Sequence, residues 1–392
     1  MKMVFKSVML VALTCAPVAI ASAIEITSNN FDAFAATIAS APSGTSVTFN
    51  LGANSTIHFA HPITVPNNLT FVGGGNVTFD GDGTSSLFIV PTSETTSFSG
   101  FTFQNGSAFN GGGAIDSEGQ TTIHDSSFFH NNSGNVGGAI GSLSAAHGNV
   151  SIYGSVFAYN HAINVGGAIE AGSFIQVENS TFFSNSAGNG GGAIDAGSGS
   201  NFLRNVTIYN NAGGQARGGG VSAGPFGTLQ ITSSLIAGNS EMDIDCSIPF
   251  QTTYIVRNSL VGNPTGSGLL NSLLNGINKI QVGDGATVSG FPISGLLGPL
   301  TNNGGLTQTM ALLDFNGMIN PAIDAGSNPD RALYDQRGAP FARNSGLAVD
   351  IGAFERQAPE PSAVVLAGLG FAILLVYRRC RGFMLSPRQF NQ

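Results

Sequence analysis

Three acidic residues recur at one position of a repeated tetrapeptide, and they are the groups through which this chain could do chemistry. Asp116 follows Gly112-Gly113-Ala114-Ile115, Glu170 follows Gly166-Gly167-Ala168-Ile169, and Asp195 follows Gly191-Gly192-Ala193-Ile194; Gly141 and Ser222 hold the same place after Ile140 and Val221. Side chains alternate across a strand, so if each Ile points inward each carboxylate points outward. Stacked, the acids form a stripe that could hold Ca²⁺ or cleave a glycosidic bond, a reaction that takes two carboxylates about 5 to 10 Å apart. Stacked strands lie about 4.8 Å apart, so almost any acidic stripe meets that spacing. Spacing alone favours a solvated turn face, and Asp116, Glu170 and Asp195 stand as the only catalytic candidates.

Other chemistries are poorly provided for. There is no Asn-Thr-Asp, Asp-Asp and Gly-His-Gly set of the polygalacturonase kind. The repeat region offers Arg204, Arg217 and Arg257 and no lysine, too little for a lyase that binds and deprotonates a uronate. Gly111 to Asp116 misses the Ca²⁺-binding Gly-Gly-x-Gly-x-Asp nonapeptide because Ala114 replaces a glycine and the period is far longer. His58 and His61, three apart in an expected strand, fall on opposite faces, so no metal pair is expected, and no cofactor. Cys15 lies in the leader, Cys246 in the body and Cys380 in the tail, which leaves no disulfide framework or cysteine metal site and makes Cys246 a buried thiol.

The elements that would carry the acids are written as a repeat. The residues Ile115, Ile140, Ile169, Ile194 and Val221 are 25, 29, 25 and 27 apart. A second marker, Phe-x-x-Asn and its decayed forms, places Asn131, Asn160, Asn185, Asn210 and Asn239 at intervals of 29, 25, 25 and 29. Between the markers lie short alternating segments such as Val150-Ser151-Ile152-Tyr153, the pattern of a strand with one buried face. Two markers on one period predict an all-β, single-stranded, right-handed parallel β-helix of about 25 residues per coil rather than a hairpin sandwich. Paired glycines give the bend and the close approach, Ile and Phe stack inside, and the asparagines form an amide ladder.

The expected organisation is a signal peptide over 1–23, an N-terminal cap over 24–44, coils over 45–289, a distinct C-terminal region over 290–357 and a sorting tail over 358–392. Lys2 and Lys6 precede the apolar run Val8 to Ile20, and Ala21-Ser22-Ala23 supplies the cleavage site. Asn30 is placed to cap a helix whose Phe31, Phe34 and Ile38 share one face, a lid for the first coil. Near the C-terminus, Pro359-Glu360-Pro361 leads into an apolar helix over 362–377 and then Arg378, Arg379 and Arg381, which orient the body outward across a membrane.

All 22 acidic residues but only eight of the 14 basic ones lie between Ile24 and Pro361. That field repels phosphate backbones and argues against nucleic acid.

The tail resembles the PEP-CTERM sorting signal, which implies processing near Pro359 to Pro361 by an exosortase-type peptidase and release to the outer surface or matrix of a Gram-negative cell. The family usually ends soon after its basic cluster, whereas this chain continues from Gly382 to Gln392. The Gly-Gly-Ala-Ile and Phe-x-x-Asn pair resembles the repeat of polymorphic outer-membrane proteins, β-helical adhesins, over Phe101 to Asn239; the translocating barrel of that family is absent. Leu297-Gly298-Pro299-Leu300, Asn302 to Thr309, Pro321 to Gly326, Asp335-Gln336-Arg337-Gly338 and Asp350 to Glu355 resemble, in order, the motifs of choice-of-anchor Q proteins. These are secreted β-helix proteins with no firm biochemical activity. Together the resemblances imply a non-catalytic surface protein for adhesion, matrix structure or carbohydrate binding; the alternative is a β-helical polysaccharide lyase or hydrolase.

Overall fold

Alternating residues become rungs in the computed structural model, which describes residues 23–142, 148–214, 218–224, 227–245, 253–267, 269 and 277–357. The strand Asn149–Tyr153 buries Val150 and Ile152 and lies parallel between Gln120–His124 and Phe174–Phe183. The register is maintained from coil to coil, so Val47, Phe71, Phe98, Ile123, Ile152, Val177, Leu203, Ile231 and Val256 form one buried column. Three parallel sheets of 16, 8 and 4 strands make the faces of this β-solenoid. Among the described residues the antiparallel pairs within named sheets are Thr287–Val288 with Phe291–Pro292 and Leu297–Thr301 with Thr309–Leu312, which excludes a hairpin sandwich.

The predicted inner stacks are present. Ile115, Ile140, Ile169, Ile194, Val221 and Ile244 pair rung to rung in the eight-stranded sheet. Phe103, Phe128, Phe157 and Phe182 stack at 4.5, 4.5 and 4.9 Å with planes within 4° of parallel. Each ring occupies the strand repeat itself, which is why one aromatic per coil fills the interior without a void.

The two glycines of each repeat have different tasks. Gly166 sits at φ 67°, where a side chain is strained, and turns the chain. Gly167 sits under the next coil: a Cβ there would lie 2.0 Å from the Gly192 carbonyl oxygen.

The asparagine ladder is continuous but differs from its predicted membership at one rung. Nδ2 of Asn131, Asn160, Asn185 and Asn211 each donates to Oδ1 of the next member at 2.9 Å, ending on Asn239. Asn211, not Asn210, supplies the fourth amide. Asn210 takes the preceding corner at φ 59°, exposed, the same corner that His130, Tyr159 and Ser184 occupy in their coils. A one-residue slip inverts the facing of a side chain, so the corner residue cannot serve as a rung. A second ladder was missed entirely: Ser155 Oγ accepts from the Ser126 N–H, and Ser180 Oγ from the Ser155 N–H, both at 3.1 Å.

Asp243 closes the asparagine ladder, accepting from Asn239 Nδ2 at 2.8 Å and the Asn239 N–H at 3.1 Å. Burial pushes its carboxyl up to about 7 from 3.8, against the hydrogen bonds that pull it down. The folded chain therefore holds this proton more tightly than the unfolded chain. The resulting stability is complete below the unfolded value and is lost as pH rises through about 7. Melting temperature is expected to fall between about pH 5 and pH 8, and more gently in Asp243→Asn; an unchanged slope in the variant would refute this assignment.

Helix α1, Phe31–Ser40, starts where Asn30 Oδ1 accepts the Ala33 N–H at 2.9 Å, and buries Phe31, Phe34 and Ile38. Phe34 packs against Phe49, Phe59, Phe79 and Phe88. Ahead of this helix, Ala23–Ile26 pairs parallel with Ser46–Phe49 and is already a rung.

The region from Leu297 to Gln357 packs against the flank of the 16-stranded sheet as a brace. Thr307 Oγ1 donates to the Gly154 carbonyl at 2.9 Å, Gln336 Oε1 accepts from Thr181 Oγ1 at 2.5 Å, and Thr207 Oγ1 accepts the Ala353 N–H at 2.9 Å. Arg337 binds Asp335 at 2.6 Å between the rings of Phe341 and Phe354, at 3.9 and 4.0 Å. Arg343 is fully buried; its Nη2 reaches Asn205 Oδ1 and the carbonyls of Asp350 and Gly352 at 2.7 to 2.9 Å. Glu355 accepts the Asp350 N–H at 2.8 Å, and burial pushes its carboxyl up to about 7. The later motifs of the sequence are thus docking surfaces.

Ala21, Cys15, Cys246, Cys380, Arg217, Pro359, Glu360, Pro361, Arg378, Arg379, Arg381 and the apolar run 362–377 lie outside the described residues. Among the described residues no helix is long and apolar enough to cross a membrane.

Candidate functional site

The eight-stranded sheet aligns the acids as the repeat predicted. Asp116 pairs with Ile89 on one side and Gly141 on the other; Glu170 pairs with Asp195, Asp195 with Ser222, and Ser222 with Asp245. Gly141 leaves its rung without a side chain between Asp116 and Glu170. The expected solvated face is instead a half-buried trough. Asp116 lies back over Gly111, where a Cβ would meet its Oδ1 at 2.7 Å, and this Oδ1 has no hydrogen-bond partner among the described residues. Burial pushes the Asp116 carboxyl up to about 6, with Glu118 adding to the rise. Glu170 is pushed up to about 8, first by burial and then by Asp195, Glu118 and Asp116; the Ser142 N–H, 3.0 Å from Oε2, opposes the shift. Loss of water around the carboxyls is the main cause, and repulsion among the neighbouring acids adds to it.

Chemically, Glu170, with its carboxyl pushed up to about 8, pairs with Asp195 one rung away, and two carboxyl groups held in different environments are what glycosidic cleavage uses. The cations do not join it. Arg204 lies on the 16-stranded sheet, bound to Glu178 at 3.0 Å and Asp330 at 3.3 Å, and the described part of the trough contains no arginine or lysine. The strand Ser55–His58 ends at His58, so His61 lies beyond it rather than on its opposite face: His58 Nδ1 meets Asp82 at 2.9 Å, while His61 packs edge-on against Phe31 at 4.8 Å. The structure does gather His58, Asp80 and Asp82 within 4.8 Å, a set the sequence reading did not foresee. Asp80 is already engaged by Gln104 at 2.6 Å and Asn105 at 3.0 Å, so its oxygens are poor candidates for an ion.

Two clefts flank the strand Ser107–Ala108, which begins the four-stranded sheet. One, of about 460 Å³, runs between Phe109, His61 and Asp116; the other, of about 350 Å³, shares Ser107 and reaches Asp82 and His130. Phe109 is 87% exposed. Neither Phe109 nor Asn110 entered the sequence reading, although Asn110, Asn135, Asn164 and Asn189 recur at the coil period just ahead of each glycine run.

Fold and site together define a braced parallel β-solenoid with an acidic trough and a polar cleft on adjacent faces. Comparison with family models, curated proteins and solved structures finds no match for this chain.

Proposed function

We propose that the chain is an exported, non-catalytic scaffold for adhesion, matrix structure or carbohydrate binding. It passes through the Sec pathway, is held briefly in the inner membrane by the apolar run 362–377, and is released by an exosortase-type peptidase to the outer surface or matrix of a Gram-negative cell. The observation that supports this reading is the brace: Thr307, Gln336 and Arg343 tie the C-terminal region to the coils, which stiffens a rod, while Asp335, Arg337, Asp350 and Glu355 are taken up in bonds within that region and leave no open site. In this reading the coils wind right-handed, the hand of nearly all parallel crossovers. Helix α1 lids the exposed edge of the first coil, and the likeness to choice-of-anchor Q proteins and PEP-CTERM tails supplies the route. The intact mass of the released protein tests it: termini near Ile24 and Pro359 to Pro361 are expected, and a released form retaining Ala363 to Tyr377 overturns the processing step.

One arrangement favours a second reading, a polysaccharide hydrolase: Glu170, whose carboxyl burial pushes up to about 8, paired with Asp195. New reducing ends from a neutral polysaccharide, abolished by Glu170→Gln and by Asp195→Asn, would establish it in place of the scaffold.

A further inference from the structure

We infer that the cleft at the open end of the four-stranded sheet is a binding site for a neutral glycan; the inference deepens the scaffold reading and rests on it. The sheet starts at Ser107–Ala108 because the preceding coil carries no strand there; the loop at Gly83 and Ser85 closes against it through the Gly83 N–H to Asn105 O at 2.8 Å and the Ser107 N–H to Ser85 O at 2.9 Å. The stacked turns above therefore end at one exposed rung, which carries Phe109 and Asn110.

Those turns carry an outer amide ladder. Asn189 Nδ2 donates to Asn164 Oδ1 at 2.8 Å, Asn164 to Asn135 at 3.3 Å, and Asn135 to Asn110 at 3.4 Å. Every member donates in the same direction. The last, Asn110, is left with an Nδ2 group that has no acceptor among the described residues. A ligand hydroxyl placed there continues the ladder by one rung.

The rest of the cleft suits the same ligand. Phe109 presents an open ring face to the C–H side of a pyranose. Asp116 and the hydroxyls of Ser85 and Ser86 line the same cleft and accept from sugar O–H groups. The adjoining cleft extends the path past Ser107 to Asp82 and His130, room for more than one sugar unit. No lysine or arginine lines either cleft, and both carry a carboxylate, so a uronate or sulfated chain meets repulsion and a neutral chain does not.

Titration calorimetry on the full chain tests this with β-1,4-linked hexasaccharides of glucose, xylose and mannose, and with hexagalacturonate as the charged comparator. At least one neutral hexasaccharide is expected to bind, and hexagalacturonate to bind more weakly. Phe109→Ala should raise Kd about tenfold, as should Asn110→Asp, which exchanges the free donor for an acceptor. Leu347→Ala, at a side chain 97% exposed and outside the cleft, should leave it unchanged. No binding of any neutral hexasaccharide, tighter binding of hexagalacturonate, or a Kd indifferent to Phe109→Ala overturns the inference. Those results leave the scaffold reading standing, because that reading is tested separately by the mass of the released protein.

Discussion

Replacing Asn160 by alanine is expected to lower stability by about 3 to 5 kcal/mol, a large loss for a single polar side chain. Asn160 is fully buried. Its Oδ1 accepts from the Asn131 N–H at 3.0 Å and Asn131 Nδ2 at 2.9 Å, and its Nδ2 donates to Asn185 Oδ1 at 2.9 Å and the Phe128 carbonyl at 3.0 Å. Alanine takes a bond from all four groups; Asn131 Nδ2 keeps the Phe103 carbonyl and Asn185 Oδ1 keeps the residue-160 N–H, while the Asn131 N–H and the Phe128 carbonyl lose this partner, and each unmet buried group costs about 1 to 3 kcal/mol. Asn210→Ala is the internal comparison. That side chain is exposed and makes one bond, to Ser184 Oγ at 2.8 Å, so its loss plus the positive φ costs about 1 kcal/mol. Urea midpoints of the two variants should differ clearly; equal midpoints would mean that the ladder does not support the fold.

Gly167→Ala is expected to be at least as damaging, at about 4 kcal/mol or more, through steric rather than polar means. The added carbon would lie 2.0 Å from the Gly192 carbonyl oxygen and 2.6 Å from the backbone N and C of Ser186. Both obstacles are main chain, so no rotamer relieves the clash, and the coil spacing must open where Ile169 and Phe157 are packed. Gly44→Ala separates this from ordinary strain: Gly44 has φ 78° but nothing within 4 Å of a Cβ, so its cost is about 1 kcal/mol. Soluble yield and melting temperature should fall steeply for Gly167→Ala and slightly for Gly44→Ala. A shared small loss would show that the coils do not approach each other as closely as 2.0 Å implies.

The scaffold was readable because of its geometry. In a solenoid the neighbour in space is one period away in sequence, so Ile115, Ile140, Ile169 and Ile194 announce their own contacts, and so does the N-cap at Asn30 followed by Phe31, Phe34 and Ile38. Period alone is blind to a single-residue offset, and in the pair Asn210-Asn211 both residues satisfied the type; counting three on from Ile208, the partner of Phe182, selects Asn211, as the backbone corner at Asn210 does. The serine ladder carried the same period, but a serine next to a turn is too common for its type to signal burial.

Within the candidate site, the sequence by itself determined that Asp116, Glu170 and Asp195 share one column, because pairing register follows from the repeat. Only the tertiary structure decided that the column is a half-buried trough, since burial depends on what Gly111 and Ser142 place over the carboxylates and not on strand alternation. The same holds for the cleft, which exists because one coil lacks a strand that its successors have. It holds most fully for the brace. Gln336 meets Ser155 across 181 residues and Ser327 meets Ser233 across 94, far beyond any period in the chain. Contacts of that range leave no local pattern, because each is set by where a folded rod happens to present a hydroxyl or carbonyl, a surface that does not exist until the coils have stacked.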